Sequence, residues 1–85
     1  MKYIFVDESW EDYLYWQKTD IKVLKKINES IKDISRNPFS GIGKPEPLKF
    51  KYKGFWSRRI TDEHRLIYQV KDDEIRIAKY RFHYD

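Results

Sequence analysis

The stretch Arg65-Leu66-Ile67-Tyr68-Gln69-Val70-Lys71-Asp72-Asp73-Glu74-Ile75-Arg76-Ile77-Ala78-Lys79-Tyr80-Arg81-Phe82 reads as two β-strands folded about a tight turn. Its two runs, 65–70 and 74–82, are rich in β-branched and aromatic residues, and Asp72-Asp73 between them has turn chemistry. A third strand-like run, 55–61, lies only a few residues upstream. Three consecutive strands with short connections predict an antiparallel meander.

Working outward, the N-terminal half has a different period. Residues 3–6 form a short apolar run, a first strand. Asp7 or Ser9 is placed to cap a helix whose apolar positions Trp10, Tyr13, Leu14 and Trp16 follow helical spacing. Thr19-Asp20 then caps a second helix with Leu24, Ile27, Ile31 and Ile34 on one stripe. That helix should stop at Arg36-Asn37-Pro38, because the residue before a proline avoids helical dihedrals. With almost nothing between them, the helices form a hairpin. Residues 39–47 carry two of the three glycines and, with Pro38 just before them, all the prolines; they read as a loop stiffened at Pro45 and Pro47. The chain is thus one domain, 1–85, of the α+β class: two N-terminal helices packed on an antiparallel β-sheet.

Strand alternation assigns the faces. Leu66, Tyr68 and Val70 look inward, as do Trp56 and Ile60; on the last strand the inner set is Ala78, Tyr80 and Phe82. Ser57, Ile67 and Gln69 then look outward, together with Arg59, Arg65, Lys79, Arg81 and His83, so five basic or titratable groups share a face. Arg58 falls on the inner side, from which its long side chain would snorkel to solvent. Trp10, Trp16 and Trp56 are expected in the core.

Composition narrows the chemistry. There is no cysteine, so neither a disulfide nor a thiol nucleophile exists, and the two histidines lack metal-ligand spacing. No metal or cofactor is expected. No apolar run approaches membrane-spanning length and none resembles a signal peptide, so the expected location is the cytoplasm. The net charge of +4 is unevenly spread. Residues 1–40 hold seven basic and seven acidic side chains, whereas 41–85 hold eleven against seven. From Lys44 to Arg59 six basic residues face a single acid, Glu46, which suits a polyanionic partner.

Cleaving RNA through its own 2′-hydroxyl needs a base for that hydroxyl, a cation for the phosphorane and an acid for the departing 5′-oxygen. Glu46 in the stiff loop, Arg65 on the basic face and His83 at the chain end would meet those demands without a metal. Each also has a plainer reading: Glu46 as a solvated charge, Arg65 as a partner of Glu63 or Glu74, and His83 as an exposed terminal residue. Tyr84 either packs at the periphery or stacks on a base.

Four blocks then occur in order: Gly43-Lys44-Pro45-Glu46-Pro47-Leu48-Lys49, Gly54-Phe55-Trp56-Ser57-Arg58-Arg59-Ile60, Glu63-His64-Arg65-Leu66-Ile67-Tyr68 and Arg81-Phe82-His83-Tyr84. With the helical segment Glu8-Ser9-Trp10-Glu11-Asp12-Tyr13-Leu14-Tyr15-Trp16-Gln17, they closely resemble the YoeB (Txe) toxins of the RelE superfamily across residues 1–84. The resemblance implies a compact RelE-like α+β fold and a ribosome-dependent mRNA interferase that cuts the codon exposed in the A site of the 70S ribosome. It implies a YefM-like antitoxin partner, a homodimer, and contact with operator DNA only through the antitoxin complex. By the same resemblance Glu46 is the general base, His83 the general acid and Arg65 the transition-state cation. Lys49 and Arg59 hold phosphates, and Tyr84 orients substrate. A non-cleaving translation inhibitor that binds RNA or the ribosome, and an antitoxin-pairing co-repressor, are the alternatives. Phe82 stands where the family commonly has tyrosine, Asp85 extends the chain, and Phe50-Lys51-Tyr52-Lys53 is more basic than the family pattern.

Overall fold

Residues 65–79 form a hairpin at the centre of the sheet, in a computed structural model that describes residues 2–79. Strands β4 (Arg65–Lys71) and β5 (Glu74–Lys79) pair antiparallel, with Lys71 opposite Glu74. Asp72 and Asp73 both take positive φ, 52° and 62°. Positive φ at both central residues is what a two-residue turn between twisted strands requires, and aspartate tolerates it better than most side chains.

β3 (Trp56–Arg59) lies antiparallel on the other side of β4, and a two-residue strand, β2 (Glu46–Pro47), adds to β3. β1 (Lys2–Phe5) runs parallel to β5, giving one sheet in the order β1-β5-β4-β3-β2. The meander is antiparallel as expected. The parallel edge strand makes the whole sheet mixed, because the chain passes through both helices before it returns to pair with β1.

The helices are α1 (Asp7–Thr19) and α2 (Ile21–Arg36), joined through Asp20 alone. The Asp20 carboxylate accepts from the Lys22 and Val23 amides at 3.0 and 3.4 Å, capping α2 as predicted. The start of α1 differs from expectation: Val6 is its N-cap, and the Ser9 hydroxyl donates to the Val6 carbonyl at 2.8 Å, so Ser9 is a buried first-turn residue rather than the cap. Leu24, Ile27 and Ile34 on α2 pack with Trp16, Ile60, Leu66, Tyr68, Ile75 and Ile77 into the core. Each such side chain contributes about 1.5–3 kcal/mol by leaving water. Trp16 and Trp56 serve the core, but Trp10 is 49% exposed and stacks on Tyr13 at 5.9 Å, across from Phe5.

Two face assignments are corrected. Tyr68 pairs with Ile77 while Ile67 pairs with Lys79, which leaves Ala78 as the extra residue of a β-bulge. One extra residue inverts the alternation beyond it. Ile75 and Ile77 therefore fill the core, Ala78 is only half-buried, and Lys79 still faces outward opposite Ile67. The other members of that expected inner set, Tyr80 and Phe82, lie outside the described residues.

The second correction is Arg58, which does not snorkel. It is fully buried, because its guanidinium finds enough acceptors inside. Nη1 reaches Asp33 Oδ2 at 2.6 Å and the Ile42 carbonyl at 3.3 Å, and Nη2 reaches the carbonyls of Asn37 and Ser40 at 2.5 and 2.7 Å. Nε donates to the Tyr68 hydroxyl at 3.2 Å, which itself donates to the Pro38 carbonyl at 2.6 Å. The hydrogen bond from Arg58, helped by the Ile42 amide, holds the Asp33 carboxyl below its usual range, while burial pushes the Tyr68 phenol up. One cation thus ties the end of α2 and the loop after it to β3 and β4. Gly41 fits there only because it lacks a side chain: its φ is +107°, and a Cβ would collide with the Asp33 carboxylate.

Candidate nucleic-acid interface

The loop pinned by Arg58 leads directly to Glu46. The amide of Arg59 donates to the Gly43 carbonyl at 2.6 Å, and Gly43 sits so close to β3 that a Cβ would come 2.9 Å from the Arg59 carbonyl oxygen. This contact delivers the next residues to the sheet edge, where Glu46 pairs with Ser57. Ser57 pairs with Ile67, and Ile67 with Lys79, so Glu46, Ser57, Ile67 and Lys79 make one row across the outer face. The row beside it contains Arg59 opposite Arg65. Ordinary strand spacings put Glu46 and Arg65 roughly 12 Å apart at Cα, two strands across and two residues along.

Like charges directly opposite each other on a sheet repel, and nothing acidic relieves the Arg59–Arg65 pair among the described residues. Arg65 Nη1 donates to the carbonyls of Thr61, Asp62 and His64 at 2.7, 3.2 and 3.1 Å. The two acids considered as its partners are used elsewhere: Glu63 lies 3.7 Å from His64, and Glu74 lies 3.3 Å from Arg76. Its guanidinium is therefore oriented by backbone and keeps its charge uncompensated within the described residues. That favours an anion coming from outside.

Glu46 and Lys49 line the same cleft, about 350 Å³, together with Pro47, Leu48, Phe50, Lys51 and Tyr52. Its floor is firm, since Leu48 is buried and its amide donates to the Phe55 carbonyl at 2.9 Å. The outer face is less solvated than strand alternation suggested: Ser57 and Ile67 are both buried there. His64, to which no role was assigned, rests its ring edge-on against Trp16 at 4.7 Å and links the β3–β4 loop to α1. The structure thus brings Glu46, Arg59 and Arg65 to one face of the sheet, with Lys49 in the cleft beside Glu46. His83, Tyr84 and Arg81 lie outside the described residues. The cleft-lining aromatics Phe50 and Tyr52 were missed as site residues, and their signal was the unusually basic run in which they sit.

Residues 5–84 match the family model of the YoeB-like toxin of bacterial type II toxin–antitoxin systems. The chain belongs to the YoeB toxin family. It is 64% identical over 84 residues to Toxin YoeB of Escherichia coli strain K12, covering 99% of this chain and all of that one. A YoeB dimer from Staphylococcus aureus superposes with a TM-score of 0.92 at 49% identity, over 99% of this chain and 98% of that one. The heterotetrameric YoeB–YefM complex from the same organism gives 0.91 at 49% identity, with the same coverage. As a YoeB-family member this chain is a toxin of a type II toxin–antitoxin system, with two helices on a five-stranded mixed sheet.

Proposed function

We propose that this toxin is an endoribonuclease that cleaves mRNA in the ribosomal A site through general acid–base attack of the 2′-hydroxyl. The observation that carries the reading is the outer sheet face, where Glu46, the only acid between residues 41 and 61, lies two strands from the Arg59–Arg65 pair, which no described acid neutralises. A carboxylate set among cations suits proton removal beside a bound phosphate better than it suits simple RNA binding.

Glu46 takes the proton of the 2′-hydroxyl, and the oxygen attacks the adjacent phosphorus. Arg65, oriented by three carbonyls through Nη1, donates its remaining N–H groups to the phosphorane oxygens. His83 protonates the leaving 5′-oxygen, Lys49 and Arg59 hold flanking phosphates, and Tyr84 orients the substrate. The products are a 2′,3′-cyclic phosphate and a 5′-hydroxyl, and no protein nucleophile or metal is needed, because the 2′-hydroxyl is already adjacent to the phosphorus. A YefM-like antitoxin is the partner that blocks the face, the toxin works as a homodimer, and operator DNA is met only through the antitoxin complex. Purified toxin, programmed ribosomes and primer-extension mapping test the reading, with free RNA and EDTA controls. Cleavage of an mRNA carrying 2′-deoxy at the cut site would overturn the mechanism, since its nucleophile is gone.

A further inference from the structure

We propose that Phe50 is a base-stacking platform, with Lys49, Lys51 and Lys53 as its phosphate contacts, holding one nucleotide of single-stranded RNA beside Glu46. Phe50 is 92% exposed, more than any other large apolar side chain among the described residues. Its φ is +56°, a region that a bulky side chain seldom occupies. A residue that is both exposed and strained contributes little to the core, and such strain gathers at ligand-binding sites.

The surrounding turn is closed by its own backbone hydrogen bonds. The Tyr52 amide donates to the Lys49 carbonyl at 3.2 Å, Lys53 to Phe50 at 3.0 Å and Phe55 to Tyr52 at 2.9 Å. Tyr52 is further held edge-on against Phe55 at 6.1 Å, with the Lys51 ammonium 5.4 Å from its ring centre. A locked turn that raises one bare ring between exposed ammonium groups matches a nucleotide, with a flat base flanked by phosphates. The ring lines the cleft that contains Glu46, the only acid between residues 41 and 61. An acidic protein segment would satisfy the lysines but brings a flat ring only where an aromatic residue falls in register; every nucleotide of RNA brings both a phosphate and a flat base.

The inference rests on the reading of the Glu46 cleft as an RNA site, and the experiment separates the two. Fluorescence anisotropy measures wild type, Phe50→Ala, Phe50→Trp and Lys51→Ala/Lys53→Ala on a labelled RNA hexamer with 2′-O-methyl at every position, which has no attacking hydroxyl, and on its abasic counterpart. Stacking on one ring predicts that Phe50→Ala weakens hexamer binding by roughly 5- to 150-fold. Phe50→Trp should retain affinity, and the abasic RNA should bind wild type and Phe50→Ala alike. The double lysine variant should weaken both RNAs and lower the salt dependence. Phe50→Gly, which also relieves the positive φ, should lose the same affinity. Unchanged hexamer binding by Phe50→Ala overturns the platform, as does an equal loss on the abasic RNA. Absence of wild-type binding to either RNA also overturns it. If wild type binds in this Phe50-dependent way but never cuts mRNA on programmed ribosomes, the catalytic reading fails and the platform stands.

Discussion

Replacing Arg58 by methionine should come close to unfolding this protein. Methionine fills much of the same space but removes a buried charge and the donors to Asp33, Asn37, Ser40, Ile42 and Tyr68. Breaking a buried ion pair from one side costs about 3–5 kcal/mol. Asp33 is 20% exposed and can recover some hydration, which favours the lower end. A domain of this length has a total stability of roughly 4–13 kcal/mol. At about 4 °C or more per kcal/mol for a domain of this size, the melting temperature should fall by about 12 °C or more. Circular dichroism melts and urea titrations measure it, with a lower midpoint and an unchanged slope expected. Asp33→Asn added to Arg58→Met should cost less than the sum of the single changes, because the two groups interact directly. A melting temperature within about 4 °C of wild type would refute the reasoning, since it would mean the loop satisfies its carbonyls without the guanidinium.

Stability should also depend on acid through Asp33. Its folded carboxyl titrates below the unfolded value, so the Arg58 contact contributes fully above about pH 4 and is lost as the pH falls through the folded pKa. Urea midpoints measured between pH 7 and 2.5 should fall less steeply for Asp33→Asn than for wild type. Ile27→Ala, at the buried centre of α2, should cost about 2–5 kcal/mol by calorimetry or urea titration. Arg65→Ala and His83→Ala should each slow mRNA cleavage on the ribosome, by about 10²–10⁴ for the loss of the general acid, and cutting within a few-fold of wild type would remove that residue from the mechanism. Expression of the toxin alone should arrest bacterial growth, and co-expression of a YefM-type antitoxin should restore it; normal growth at confirmed soluble expression would count against the toxin acting as proposed.

Much of this molecule is local and therefore legible in its sequence. The Asp20 cap, the Leu24-Ile27-Ile31-Ile34 stripe, the halt before Pro38 and the Asp72-Asp73 turn each depend on residues within a few positions of one another. So does the basic run from Lys44 to Arg59, whose charge needs no fold to be counted. The family blocks carried the class of protein and singled out Glu46, Lys49, Arg59 and Arg65 before any geometry was known.

The misreadings share a different origin. Alternation is a reliable guide only while the strand stays regular, and the bulge at Ala78 depends on how β5 meets β4. Trp10 has the spacing of a core residue, but where α1 lies on the sheet leaves it beside Phe5 and Tyr13 instead. Arg58 looked misplaced inside because its partners come from far along the chain: Asp33 is 25 residues away, and the loop carbonyls are 16 to 21 away. Composition and periodicity therefore determined that this chain folds as helices on a sheet with a basic face. Tertiary structure alone decided that one cation is buried to pin the loop carrying Glu46, because a charge is stable inside only where distant groups converge to satisfy it.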